Sequence, residues 1–249
     1  MSGGRITDSD RIAELYDARD QFYTYDGVRE TLRNFLGPQP SSVLEVGCGT
    51  GHGLPDTALG VDVSTAMLQR AHAARPHARL VRARAEDLPF ADASLDRIFC
   101  VNALHHFTDR ARFFAEARRV LRPGGGLLTV GKDPHADQDD WWVYTYFEET
   151  RAIDRERFAR VRTLRGEMAL AGFAWTESME ADHIEVVRPA NEALANGVVD
   201  ACFTSQFTVL SDEEFKRGAD RLRAANDAAG GELQLVADFR LYATIGWLA

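Results

Sequence analysis

Cysteine is scarce in this 249-residue chain, with Cys48, Cys100 and Cys202 the only three. Their spacing fits neither a metal knuckle nor a disulfide framework, so a reduced, intracellular setting is expected. No stretch is long and apolar enough to span a bilayer. The opening Met1-Ser2-Gly3-Gly4 lacks the apolar run of a secretory leader, and a cytoplasmic location is the expectation. Positive charge is also short: 29 Lys and Arg stand against 38 Asp and Glu, a formal net charge of −9. That balance argues against nonspecific binding to nucleic acid, which rests on basic contacts to phosphate. Internal repeats and low-complexity segments are lacking too. The expected partner is a small molecule, not a nucleic acid or a membrane, and the expected state is a monomer or a homodimer.

What is present suits one large domain, or a domain with a lid, since 45% of residues are apolar. The chain is organised around Val43-Leu44-Glu45-Val46-Gly47-Cys48-Gly49-Thr50-Gly51. A short apolar run ending in alternating glycines reads as a buried parallel strand followed by a tight loop. Without a Cβ at Gly47 or Gly49, a ligand approaches the backbone N–H groups closely. Ligands of open α/β sheets sit there, beyond the carboxyl ends of the strands. Leu59 to Val63 reads as the second strand, and Asp62 at its end is placed to accept hydrogen bonds from both hydroxyls of a ribose. Ser64 then caps a helix with Met67, Leu68 and Ala71 on its inner face.

Further strands are expected over Arg79–Ala83, Leu95–Val101 and Leu127–Val130. Asn102 and Ala103 end the fourth strand, and Asp133 and His135 follow the fifth. Thr108 is expected to cap the helix carrying Phe113, Phe114, Ala117 and Val120. Residues 5 to 36 read as helical, with Ile12, Leu15 and Tyr16 on one face, up to the break at Gly37-Pro38-Gln39-Pro40. Ile153 to Ala171 reads as one helix, residues 174 to 187 contain a sixth strand, and Leu233 to Trp247 forms a long last one. Ser211-Asp212-Glu213-Glu214 is a capping box opening a helix through Ala229.

The glycine loop, with Gly60-Val61-Asp62-Val63-Ser64, Ala85-Glu86-Asp87-Leu88-Pro89-Phe90, Ala103-Leu104-His105-His106-Phe107 and Leu121-Arg122-Pro123-Gly124-Gly125-Gly126, resembles the class I S-adenosylmethionine (SAM) methyltransferases of the ubiquinone/menaquinone-type branch. The resemblance covers residues 40 to 130. It implies a Rossmann-like α/β fold: a seven-stranded, mostly parallel sheet with an antiparallel last strand and helices on both faces. It further implies a helical lid over 1–40, a cofactor-binding core over 41–187, a helical insertion over 188–230 and a final core strand over 231–249. The implied cofactor is SAM, released as S-adenosylhomocysteine, held by Glu45, Gly47, Gly49, Gly51, Asp62, Val63, Met67, Ala85, Glu86 and Asn102. The chain departs from the family in two places. Only His52 to Ala58 stand where a full helix is usual, and one turn or a loop is expected there. Arg84 occupies a position that is often acidic.

Methyl transfer from a sulfonium needs placement and exclusion of water more than acid–base machinery. A base helps when the acceptor holds a proton. His106, His135 and Asp133 are the candidate catalytic residues, with His105 beside them. For His105 and His106 the competing reading is that they satisfy backbone groups at a strand–helix junction, whereas His135 lies where substrate contacts are expected. Asp133, Asp137, Asp139 and Asp140 could suggest a metal, but a solvated acidic loop is the plainer reading, and no metal is expected. Tyr23, Tyr25, Trp141, Tyr144 and Tyr146 are the candidate acceptor-binding residues, with ordinary core packing as their alternative. A nicotinamide oxidoreductase would need its third glycine at His52 or Leu54, and neither is one. The expected function is transfer of a methyl group to an oxygen or nitrogen of a small planar or aromatic metabolite. A carbon methyltransferase and a non-catalytic SAM-binding subunit stay open as alternatives.

Overall fold

The computed structural model describes residue 13 and residues 23–38, 40, 42–55 and 58–249. Of the helix expected over residues 5 to 36, Ile12, Leu15 and Tyr16 lie outside the described residues. Helix α1, Asp26–Leu36, buries Val28, Leu32 and Phe35 on one face. Its own N-terminus has no side-chain cap, and the carboxylate of Asp182 accepts the Val28 N–H at 3.1 Å instead. That approach needs Gly27, where a Cβ would lie 2.5 Å from the Ala181 carbonyl oxygen.

Strands β1 (Val43–Val46), β2 (Leu59–Asp62), β3 (Arg79–Arg82), β4 (Leu95–Val101) and β5 (Leu121–Gly131) pair in parallel. Helix α2 (Thr65–Ala74) and helix α3 (Arg110–Val120) connect them, and a 3₁₀ turn spans Leu104–His106. The central strands are apolar on both faces because both are covered. Leu44, Ile98, Phe113, Phe114 and Leu127 pack on one side, and Phe99, Leu128, Trp142 and Phe147 on the other. Ser64 caps α2 by accepting the Met67 N–H. Asp109, not Thr108, caps α3 by accepting the Arg112 N–H, because the Thr108 N–H and hydroxyl both donate to Glu86.

Strand β8, Gln234–Trp247, runs antiparallel to β5 and carries two further strands. Strand β7 (Trp175–Pro189) pairs with it from Trp175–Trp247 to Pro189–Gln234, and the short β6 (Asp140–Trp141) pairs at Asp238 and Ala237. The described sheet thus has eight strands in a mostly parallel, mixed arrangement, where seven were expected. The added strand is β6, which forms because Trp141 is drawn into the core beside Phe239.

The expected helix over 153–171 is two helices, α5 (Glu149–Arg157) and α6 (Val161–Leu170). Phe158 takes an extended backbone and buries its ring, stacked on His105 with centroids 4.0 Å apart. The Val161 N–H, freed by the break, donates to Asp133 at 3.0 Å. Between them and the sheet, α4 (Trp142–Tyr146) follows β6. The segment 188–230 contributes α7 (Ala190–Ala195), α8 (Ser205–Thr208) and α9 (Asp212–Ala228), the last opened by the Ser211–Glu214 capping box.

In α9, a Cβ at Gly218 would stand 2.2 Å from the ring of Phe147, itself fully buried among Trp142, Phe207 and Phe215. Overpacking of that kind costs ~1–3 kcal/mol, more than the ~1 kcal/mol gained by replacing a helical glycine with alanine. Gly218→Ala is therefore expected to lower the melting temperature, measured by circular dichroism, where propensity alone would raise it.

Candidate functional site

The loop after β1 is held by two backbone bonds and one carboxylate. The N–H groups of Gly47 and Cys48 both donate to the Val61 carbonyl, at 2.7 and 3.0 Å. Asp62 accepts the Gly49 N–H at 2.9 Å on one oxygen and the Ser64 N–H at 2.9 Å on the other. Gly47 has φ +74°, and a Cβ there would come within 2.4 Å of the Ala103 Cβ. Asn102, at the end of β4, also has positive φ, +50°, which asparagine tolerates better than most residues. Its N–H donates to the Val130 carbonyl at 2.9 Å.

These residues form one end of a chamber. Gly47, Gly49, Asp62, Met67, Asn102 and Ala103 line that end. Tyr23, Trp141, Phe239 and Phe158 supply the aromatic walls of the remainder, and Phe203 to Gln206 close it from the insertion. Tyr25, His105, His106, Lys132 and Leu241 complete the lining.

The sequence candidates divide. His106 lines the chamber, but Asp133 and His135 do not. Asp133 accepts from the N–H groups of His135 and Val161, and His135 Nε2 lies 3.0 Å from the Phe158 carbonyl oxygen. Both residues secure the break between α5 and α6. The structure does not bring them together with His106 in the chamber.

Tyr23, Tyr25 and Trp141 line the chamber; Tyr144 and Tyr146 do not. The Tyr144 hydroxyl donates to the fully buried Asp154 at 2.8 Å, which places it behind the wall. Tyr146 packs part-buried against the core, and its carbonyl accepts from Arg221.

Among the expected cofactor residues, Gly51 meets α2 instead, where its added Cβ would lie 3.2 Å from Ala71. Val63 is exposed and Ala85 is core. Glu86 is engaged by Thr108, Asp109 and Arg84, so its carboxylate serves the start of α3.

Lys132 and the Thr204–Gln206 segment were missed by sequence reasoning. Lys132 was visible in one respect: it is one of two lysines in the whole chain, directly after β5. Its ammonium lies 3.8 Å from the Trp141 ring centre, 4.3 Å from Phe239 and 4.7 Å from Tyr144. Asp139 stands 3.3 Å away without hydrogen-bond geometry. Burial holds the Lys132 pKa below the usual lysine range, against the pull of Asp139 and Asp154. Asp154 also receives the Gln206 amide at 3.0 Å, tying the insertion to α5.

Of the acids in the 133–140 loop, Asp137 pairs with Arg155 and Asp139 with Lys132. Among the described residues, no group of three or more His, Cys, Asp or Glu is arranged to hold a metal.

Residues 44–129 match the family model for the methyltransferase domain. Over this segment the chain is similar to a methyltransferase domain. The chain is 35% identical over 176 residues to the malonyl-[acyl-carrier protein] O-methyltransferase of Methylococcus capsulatus, covering 60% of this chain and 61% of that one. It is 40% identical over 110 residues to phthiotriol/phenolphthiotriol dimycocerosates methyltransferase 1 of Mycobacterium ulcerans, covering 40% of each. The match thus spans less than two thirds of the length of these relatives. In fold, the chain is similar to a structure described as a methyltransferase from an antibiotic biosynthesis pathway of Anabaena variabilis. The TM-score is 0.66 at 19% identity, over 87% of this chain and 95% of that one. It is also similar to the SAM complex of phosphoethanolamine N-methyltransferase 2 from Haemonchus contortus, with a TM-score of 0.54 at 17% identity, over 89% and 52% of the two chains. No described helix is long and apolar enough to cross a membrane.

The cofactor of such a domain is SAM, and the residues present fit it. Asp62 is an acceptor at the strand end, Gly47 leaves the close approach that a Cβ would fill, and Glu45 keeps a buried carboxyl oxygen with no hydrogen-bond partner among the described residues. Burial, with Asp62 nearby, pushes the Glu45 pKa up to about 8. Its unfolded value is near 4.5, so wild-type stability falls as pH rises from there towards 8, while the unfolded state alone ionises. Glu45→Gln removes this dependence. Relative to wild type, the variant is expected to gain stability steadily between pH 5 and pH 8, by ~1.4 kcal/mol per unit of displacement at most, measured by urea unfolding without cofactor.

Proposed function

We propose that this protein transfers a methyl group from SAM to an oxygen or nitrogen of a small planar or aromatic acceptor. The observation that carries the reading is the single chamber, with the glycine loop and Asp62 at one end and an aromatic wall at the other. The relatives from Methylococcus capsulatus and Hahella chejuensis are named for an acceptor borne on a carrier protein. Delivery in that manner is compatible with a small acceptor group here.

SAM, when bound, supplies a methyl carbon already activated by a sulfonium, so the share of the protein is placement and dryness, worth up to ~7–11 kcal/mol. Asp62 holds the ribose hydroxyls, and the backbone at Gly47 meets the methionine portion. Tyr23 is fixed by accepting indole N–H bonds from Trp141 at 3.0 Å and Trp142 at 3.3 Å, so the aromatic wall is rigid before the acceptor arrives. The insertion segment, tied to Asp154 through Gln206, keeps water out.

His106 orients the acceptor more than it removes a proton. An arginine is only a donor, and Arg157 Nη2 lies 3.4 Å from His106 Nδ1. Nδ1 is therefore the accepting nitrogen, and in the neutral ring Nε2 carries the hydrogen.

The test is calorimetry with two cofactor forms. Hydrogen bonds to a charged group contribute ~1.5–3 kcal/mol each. Asp62→Ala is expected to weaken SAM and S-adenosylhomocysteine alike by one to two orders of magnitude, roughly that free energy in affinity terms. Wild type that binds neither compound removes the reading, and an unchanged Asp62→Ala moves the ribose elsewhere. Turnover on a panel of phenols, carboxylic acids and amines then assigns the acceptor.

A further inference from the structure

The chain is acidic as a whole, yet one face is not. Helices α3 and α6 pack side by side. Arg112, Arg118, Arg160, Arg162 and Arg165 are exposed on them or at the start of α6, and none forms an ion pair with a described residue. The carboxylates these helices carry are already engaged. Glu116 is buried against Arg119, and Glu167 receives two bonds from Arg110, at 3.0 and 2.9 Å. Arg112 donates to the Glu86 carbonyl and Arg165 to the Thr176 carbonyl, so the arginines of this face are met by carbonyl oxygens and not by paired carboxylates. Two exposed apolar groups adjoin it: Leu170, at the end of α6, is 90% exposed, and Trp175, at the start of β7, is 65% exposed. Arginine and tryptophan are the residue types that most often anchor protein partners.

Beside the same face lies a second, small pocket. Arg110, Val161, Leu164 and Tyr242 line its outer, part-exposed side. Its inner side is made of His105, Lys132 and Phe158, which also line the chamber. His105, stacked on Phe158 with 16° between the rings, and Lys132 thus border both spaces. An opening between these side chains would admit an extended chain more readily than a bulky molecule.

We propose that the face formed by α3 and α6 docks an acidic carrier protein, which threads its tethered acceptor past Phe158 into the chamber. This rests on reading the chamber as the methyl-transfer site. Charge selects the partner. A compact acidic protein meets the arginine face alone. An extended polyanion or a flat anionic bilayer would also meet the acidic remainder of a chain of net charge −9. Complementary charge of this kind sets association rate and salt dependence.

The probe is a purified bacterial acyl carrier protein in its phosphopantetheinylated form, titrated by fluorescence anisotropy against the full chain at low and high salt. The triple variant R160E/R162E/R165E is expected to raise the carrier dissociation constant by about tenfold or more, with wild-type binding weakening as salt rises. Charge reversal elsewhere, R79E/R223E, is expected to leave carrier binding nearly unchanged. S-adenosylhomocysteine affinity, read by calorimetry on the same preparations, is expected to match across all three proteins. That match shows that the triple variant is folded. Wild type that fails to bind the carrier overturns the proposal, as does a triple variant that binds as wild type does. Preference of wild type for anionic vesicles or for single-stranded DNA over the carrier overturns it as well. Wild type that binds the carrier but not S-adenosylhomocysteine keeps the docking face and removes the methyl-transfer reading alone.

Discussion

Everything at the site depends on how closely the loop after β1 lies against the strands beside it. Gly47 sits where a single added carbon would be 2.4 Å from the Ala103 Cβ. The Val61 carbonyl and the Asp62 carboxylate hold that loop from the neighbouring strand. The β1–β2 register thus places a carboxylate and two glycines in one corner, and the positive φ of Asn102 turns the end of β4 into the same corner. A shift of any one of these strands would remove the close approach, because none of the contacts has slack.

The other half of the chamber is ordered by buried charge. Lys132 stands among three aromatic faces, and Asp154 binds Tyr144, Gln206 and Arg157 behind them. Removing ions from water is costly unless they are paired. Such a cluster therefore favours one arrangement of β6, α4, α5 and the insertion over looser ones. It joins segments that the chain separates by more than 50 residues, as between Asp154 and Gln206.

The legible part of this molecule is the part written in local pattern. The strand preceding Gly47, the acid ending β2, the capping box at Ser211 and the long strand through Trp247 all follow from spacing and turn chemistry, and the structure has them. The shortened connection after Gly51 was also visible, and its described residues form no helix. What failed to show depends on partners far away in sequence. Helical spacing put Trp141 and Tyr144 together but could not say that one faces the chamber and the other Asp154. Glu86 read as a ligand because its actual partners, Thr108 and Asp109, lie 22 and 23 residues on. Lys132 and Gln206 enter the chamber only through tertiary packing, with no motif to announce them.

The shortened connection between β1 and β2 has a consequence for traffic. With no helix among its described residues, a further cavity lies between α1 and the loop. It shares Tyr25, Gly47 and Asn102 with the chamber. The chamber is therefore bordered by hollow space at both ends: this one beside the glycine loop, the other behind Phe158. A pocket with a single mouth makes its two ligands queue, so the one nearer the wall must enter first and leave last. Two opposed approaches lift that constraint. If the chamber transfers methyl groups as proposed, spent cofactor and finished product would then leave by different sides, with no compulsory order.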